Sequence, residues 1–195
     1  MTTPSPPLTF FTTNKGKVAE LASQLAPFGL TVRQDARGYP EVQADTLAEV
    51  AEAGADWLLA NGATPPFLLE DSGLFVAALK GFPGVYSRHT LDTIGLPGLL
   101  ALLRDAPPAR REAWFETALL LVEADGTRRL FTGRCDGRIA DTPSGTGGFG
   151  FDPLFIPAGA TQTFAAMPPA AKAALSHRGK AVAAFLEHRK RTGKP

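Results

Sequence analysis

The chain has almost no cysteine: Cys135 stands alone in 195 residues. That excludes an intramolecular disulfide and fits a reducing compartment. It lies between Arg134 and Asp136 in an apparent strand, where a structural thiol is a better reading than a nucleophile. An excess of one charge sign is also missing. The 20 Lys and Arg against 19 Asp and Glu leave a net charge of +1, which gives no electrostatic case for a nucleic-acid partner. Any anion site must therefore be local. No apolar run reaches membrane-spanning length, so no membrane partner is expected. The N-terminal MTTPSPP has neither the basic nor the apolar region of a signal peptide. Residues 1–7 read as a flexible tail, and the protein as cytoplasmic.

What is present is an ordinary globular composition, 44% hydrophobic and 20% charged. The length suffices for one good core or two closely joined lobes. With no internal repeat and no clean boundary, residues 8–195 read as one domain. The organising stretch is PFLLEDSGLFVAALKGFPG, Pro66 to Gly84. Phe67-Leu68-Leu69 predicts a short buried strand, and Ser72-Gly73 predicts a sharp turn after it. Between them, Glu70 and Asp71 are adjacent carboxylates at the end of an apolar run. Holding both ionised there is costly without a cation, and a hard divalent metal is the usual solution. An acidic surface turn fits the stretch equally well.

Earlier in the chain, Leu8 to Phe11 is β-type and runs into Thr12-Thr13-Asn14-Lys15-Gly16-Lys17. Val18, Leu21, Leu25 and Phe28 then recur at helical spacing up to Gly29. Strand, small polar loop with Gly and Lys, then helix is the layout of an anion site. A helix simply capped by Thr13 or Asn14 is the alternative, and the Walker A spacing is absent. Leu30 to Arg33 predicts a strand, and Leu47 to Asn61 a helix capped by Asp45 or Thr46. Glu41, in the loop before it, has no reading of its own beyond a loop carboxylate. Ile94 to Leu103 predicts a helix interrupted near its start by Pro97.

Two β-rich runs, Trp114 to Glu123 and Arg128 to Asp136, flank the hairpin signal Asp125-Gly126. The glycine-rich loop Gly145 to Pro153 carries Phe149-Gly150-Phe151-Asp152, which favours base stacking or close phosphate approach over a plain linker. Ser176 suits the cap of a final helix opened by His177-Arg178. Helices alternating with strands around a central hairpin predict an α/β protein with a mixed sheet.

In this order, TTNKGK, PEVQADT, EDSGLFVAALKGFPGVYS, GTGGFGFDPLFIP, TFAAM and SHRGKA resemble the inosine triphosphate pyrophosphatases, and most closely their archaeal-type branch. The resemblance covers nearly all of Leu8 to Leu186. It implies an elongated mixed sheet flanked by helices, with two lobes and a nucleotide cleft between them. It further implies a Mg²⁺-dependent enzyme, a homodimer, that hydrolyses ITP, dITP and XTP to monophosphate and pyrophosphate. Thr12, Thr13, Asn14, Lys15, Gly16 and Lys17 would hold the triphosphate, with Lys17 its main cation. Glu41 and Asp71 would be metal ligands, joined by Glu70, which stands where many members have aspartate. Asp71 is also assigned as base for the attacking water. Ser72 and Arg88 would touch the substrate, and Lys172 would reach the nucleotide. Phe149, Gly150, Phe151 and Asp152 would form the base pocket, with His177 and Arg178 reading the base. Two departures stand out: Ala166 replaces a usual Glu, and Arg88-His89 replaces the commoner Ala-Arg. A non-catalytic nucleotide sensor, or a pyrophosphatase of modified pyrimidine nucleotides, is the competing function.

Overall fold

The structure is a computed structural model that describes residues 6–193. Most of the expected N-terminal tail lies outside those residues; Pro6 and Pro7 precede the first strand without regular structure. The first half of the chain is a parallel α/β unit. Strand β1 (Leu8–Phe11) leads through α1 (Lys15–Leu25) to β2 (Val32–Asp35), then through α2 (Leu47–Ala60) to β3 (Phe67–Val76). Helices α3 (Ser87–Thr93) and α4 (Gly95–Leu102) follow. The second half is a meander of β4 (Glu112–Val122), β5 (Arg128–Ile139) and the short β6 (Phe155–Pro157). Helices α5 (Pro169–Leu175) and α6 (His177–Arg191) close the chain. One six-stranded mixed sheet runs in the order β2-β1-β3-β4-β5-β6, parallel around β1 and antiparallel from β3 onward.

Side chains alternate across a strand, and β3 shows what that does here. Leu68, Glu70, Ser72, Leu74 and Val76 leave one face; Phe67, Leu69, Asp71, Gly73 and Phe75 leave the other. On the first face Leu68 joins a core with Leu21, Leu119, Phe131 and Phe185, under α1 and α6. Leu74 and Val76 join a second core with Leu99, Phe115 and Phe155, beside α4. Between these two apolar clusters the face carries Glu70, Ser72 and, on β4, Thr117. A polar stripe between two cores is where the sheet opens into a cleft. On the second face Phe67 and Leu69 pack against α2, through Ala51, Ala55 and Leu58.

The sharp turn expected at Ser72-Gly73 does not form. Strand β3 continues to Val76, paired with β4 from Phe67↔Val122 to Val76↔Ala113. Gly73 serves close packing instead: a Cβ there would collide with the Gly84 carbonyl oxygen. Helix α3 and strand β6 were not legible in the sequence for a different reason. Both are short segments fixed by tertiary contacts, with Ser87 Oγ of α3 accepting from the Leu74 amide of β3 at 2.8 Å.

Candidate active site

The chain enters the site from β1. Asn14 caps α1, its Oδ1 accepting from the amides of Gly16 (2.8 Å) and Lys17 (3.2 Å). This aims the first turn, with Thr12, Thr13, Lys15 and Lys17, into a cavity of about 720 Å³. All the residues singled out from sequence and resemblance line that cavity. Glu41, Glu70, Asp71 and Ser72 join the loop Thr12–Lys17; Arg88 stands on α3; Phe149 to Asp152, Lys172, His177 and Arg178 complete the far wall.

On the cleft face of the sheet the charges form a continuous chain from Lys17 to Asp152. Arg178 donates from Nε to Glu70 Oε2 (2.8 Å) and from Nη2 to Glu70 Oε1 (2.7 Å), a bidentate pair. Thr117 Oγ1 donates to the same Oε1 at 3.2 Å. Lys17 Nζ donates to the Glu70 carbonyl at 3.1 Å and lies 3.5 Å from its carboxylate. Glu20, one turn along α1, bridges the guanidinium of Arg178 to the ammonium of Lys172. Lys172 continues to Asp152 Oδ2 at 2.6 Å, which also accepts from the Phe149 amide at 2.7 Å. Three cations thus meet three carboxylates. Burial disfavours the Glu70 carboxylate, but Arg178 and Lys17 outweigh it and hold its pKa well below the usual range. Of the five guanidinium N–H groups of Arg178, Nε gives one, Nη1 one to Glu20, and Nη2 two to Glu70 and Ser72.

Asp71 stands outside this chain. It leaves the opposite face of β3, its Oδ2 is buried, and that oxygen has no hydrogen-bond partner among the described residues. Burial, opposed by Lys17 and reinforced by Glu41, pushes its pKa up to about 6. Tyr39 lies against the same group, and its phenol is pushed up by burial and then by Asp71, Glu70 and Glu41. Gly54 of α2 makes room for the Tyr39 ring, which a Cβ would meet at 2.7 Å. Glu41 is exposed at the cavity wall. An unpartnered buried carboxylate oxygen with a second carboxylate in electrostatic reach fits a hard cation. Glu70 is differently placed. Adjacent strand residues face opposite ways, and both Glu70 oxygens are taken by Arg178. Among the described residues, no three His, Cys, Asp or Glu side chains converge as a ready metal-ligand set.

The opposite wall is aromatic. The Phe149 ring lies over Gly16, where a Cβ would come within 2.5 Å of it. It also faces Lys172 Nζ (4.9 Å) and the Arg178 guanidinium (5.4 Å). Phe151 is buried in the core beside Leu74 and Phe155. His177 is buried, stacks on Phe115 at 4.7 Å, and has an Nδ1 without a partner among the described residues. Burial and then Arg178 hold its pKa well below the usual imidazole value, so the ring is neutral. Its close seat on the sheet depends on Gly133, where a Cβ would collide with the His177 carbonyl oxygen. Arg88, at the exposed rim, pairs with Asp92 at 2.6 Å.

Glu20, Tyr39 and Thr117 belong to the site and were not found in the sequence. Glu20 had a signal, since it lies three residues after Lys17 and so shares its helix face. Tyr39 and Thr117 had none, because only the fold brings them to the carboxylates.

A family model described as the Ham1 family matches residues 8–188. The chain belongs to the Ham1 family. A relative from Thermococcus kodakarensis named dITP/XTP pyrophosphatase is 52% identical over 178 residues, 91% of this chain and 94% of the relative. One of the same name from Pyrococcus horikoshii is 48% identical over 179 residues, again 91% and 94%. Among solved structures, a HAM1 protein from Coxiella burnetii superimposes with a TM-score of 0.79 at 28% identity, covering 94% of this chain and 99% of that one. The mixed sheet with flanking helices is therefore the Ham1 architecture. Among the described residues, no helix is long and apolar enough to cross a membrane.

Proposed function

We infer that this Ham1 protein is a nucleoside triphosphate pyrophosphatase, hydrolysing deaminated purine nucleotides (ITP, dITP, XTP) to monophosphate and pyrophosphate. The observation that carries this reading is the convergence on one cavity of three different tools. These are a lysine-bearing helix start, a buried carboxylate at Asp71 with one oxygen unpartnered among the described residues, and an aromatic wall backed by buried hydrogen-bonding groups. Relatives named dITP/XTP pyrophosphatase at 52% and 48% identity support it.

In this reading the resident cation is Mg²⁺, held by Glu41 and Asp71, with Glu70 acting from behind through Arg178 and Lys17. When bound, Mg²⁺ supplies positive charge for the polyphosphate. The chain's own residues do the rest, mainly by positioning and neutralisation. Thr12 to Lys17 grip the polyphosphate, and Lys17 offsets charge that builds on the leaving pyrophosphate. Asp71 accepts a proton from the attacking water, its carboxylate facing the cavity where the polyphosphate lies. Phe149 stacks on the base; the neutral His177 and the remaining Nη1 hydrogen of Arg178 face its polar edge, with Ser72, Arg88, Gly150, Phe151, Asp152 and Lys172 shaping the rest. A 6-oxo acceptor pairs with that hydrogen, whereas the amino group of adenine leaves it unpaired, costing roughly 1–3 kcal/mol. The working unit is a homodimer.

The test is a panel of ITP, XTP, dITP, ATP, GTP and dUTP with Mg²⁺, scored for pyrophosphate release. Pyrophosphate from the deaminated purines well above ATP and dUTP is expected. Tight ITP binding without turnover would make the protein a sensor, and preference for a pyrimidine nucleotide would overturn the base assignment.

A further inference from the structure

The loop between β2 and α2 carries Glu41 and is held firmly only at its two ends. At its start Arg37 pairs with Asp35 at 2.8 Å and donates to the Asn61 carbonyl at 3.3 Å. At its finish Thr46 and Glu49 form the capping box of α2. Among the described residues, the backbone of residues 38–44 makes no hydrogen bond to other backbone. From Ala36 to Gln43, Tyr39 alone is not exposed. Its ring packs on the core that holds Phe11, Ala51, Ala55 and Leu69, and α2 is shaped to receive it. Gly54 lies inside that helix, a position where glycine is less stable than alanine. A Cβ at Gly54 would lie 2.7 and 2.8 Å from carbons of the Tyr39 ring. The missing side chain is the seat of the ring.

We propose that Tyr39 is the positioning residue for Glu41: its ring, seated against Gly54, fixes the loop so that Glu41 serves the divalent cation together with Asp71. The proposal rests on the reading that Glu41 and Asp71 hold Mg²⁺, and adds what brings the exposed carboxylate to the buried one. The link between ring and carboxylate is short and stiff. Pro40 alone separates Tyr39 from Glu41; proline fixes its own φ and restricts the residue before it to extended backbone. Placing the Tyr39 ring therefore places Glu41, and both residues line the cavity. Asp71 needs no such help, because β3 holds it opposite Ala118 of β4. Without the seat Glu41 would sample many positions, and cation binding would have to order the loop at the expense of affinity. The Tyr39 hydroxyl lies in electrostatic reach of Asp71, Glu70 and Glu41. A neutral phenol brings the cation no charge, however, so the ring is the working part.

The experiment is thermal unfolding of the full chain, without nucleotide, over a range of MgCl₂ concentrations. Wild type is expected to be stabilised by Mg²⁺, and the concentration that gives half of the full effect is the readout. Tyr39→Ala should raise that concentration about tenfold or more, and Tyr39→Phe, which keeps the ring, about twofold at most. Gly54→Ala touches no carboxylate but fills the seat of the ring, and should act as Tyr39→Ala does. It keeps the test decisive if Tyr39→Ala does not fold. The melting temperature without Mg²⁺ reports any general loss of packing separately. A merely structural role lowers that temperature and leaves the Mg²⁺ midpoint of Tyr39→Ala and Gly54→Ala at the wild-type value, a result that overturns the positioning role. A loss in Tyr39→Phe equal to that in Tyr39→Ala overturns the ring as its agent. A wild type that does not respond to Mg²⁺ overturns the metal reading and this inference with it.

Discussion

The two faces of one strand, β3, have been given opposite electrostatic treatment. Glu70 on one side is buried, held by Arg178, Lys17 and Thr117, and linked through Glu20 to Lys172 and Asp152. Asp71, the next residue, has a buried oxygen with no partner among the described residues. The satisfied side is rigid and charge-balanced, which suits positioning a nucleotide. The unsatisfied side carries a cost in the free protein that only a cation or a proton removes. Functional sites commonly hold such uncompensated groups at the expense of stability. The contrast assigns chemistry to Asp71 and architecture to Glu70.

Asp71→Asn is the hardest test of this division. Turnover of ITP should fall about 10³-fold or more while the protein stays folded. Steady-state pyrophosphate release on the purified variant checks this, and near-wild-type turnover removes Asp71 from the mechanism. On the other side of the strand, Arg178→Ala should act first on stability. It strands Glu70 in a buried site, at a cost of about 3–5 kcal/mol in urea denaturation. A loss below about 1 kcal/mol would mean that the charged chain does not hold the cleft together.

Milder substitutions probe the same two sides. Lys17→Ala should weaken ITP binding by about 1.5–3 kcal/mol, the worth of a charged hydrogen bond, and IMP binding by much less. Calorimetric titration of both nucleotides separates the two, and equal losses count against a polyphosphate role. Glu41→Gln should raise the Mg²⁺ concentration for half-maximal rate several-fold, about 1 kcal/mol, with little effect on folding. An unchanged Mg²⁺ titration would leave Glu41 a loop carboxylate.

Much of this arrangement was legible beforehand. Alternating helices and strands announced the α/β sheet, Asp125-Gly126 marked the β4–β5 hairpin, and Asn14 and Ser176 are the caps of their helices. The ordered motifs named the cavity-lining residues through resemblance. What stayed hidden was direction. Glu70 and Asp71 look like a carboxylate pair only if β3 ends at Leu69; once the strand continues, its alternation sends them to opposite faces. Continuation is decided by the β4 partner, which pairs with β3 along its whole length, and no local propensity reports that. Glu20 was overlooked for a related reason, because its meaning depends on α5 and α6 supplying Lys172 and Arg178 from far along the chain.

The central claim is that the burial of Asp71 is only partly compensated in the free protein, and its stability signature is specific. A carboxyl raised from 3.8 to about 6 on folding costs nothing when the pH lies well below the lower of these values. The cost grows as pH rises through the window between the two and is complete above the higher. The direct measurement is therefore the unfolding free energy of wild type and Asp71→Asn from about pH 4 to about pH 8, with and without Mg²⁺. Without Mg²⁺ the variant should gain on wild type as pH rises, reaching an advantage of about 3 kcal/mol at the alkaline end. Added Mg²⁺ should stabilise wild type and leave the variant nearly unmoved, erasing that advantage. A variant that is equally stable or less stable than wild type across the whole range, with no differential response to Mg²⁺, would contradict the account.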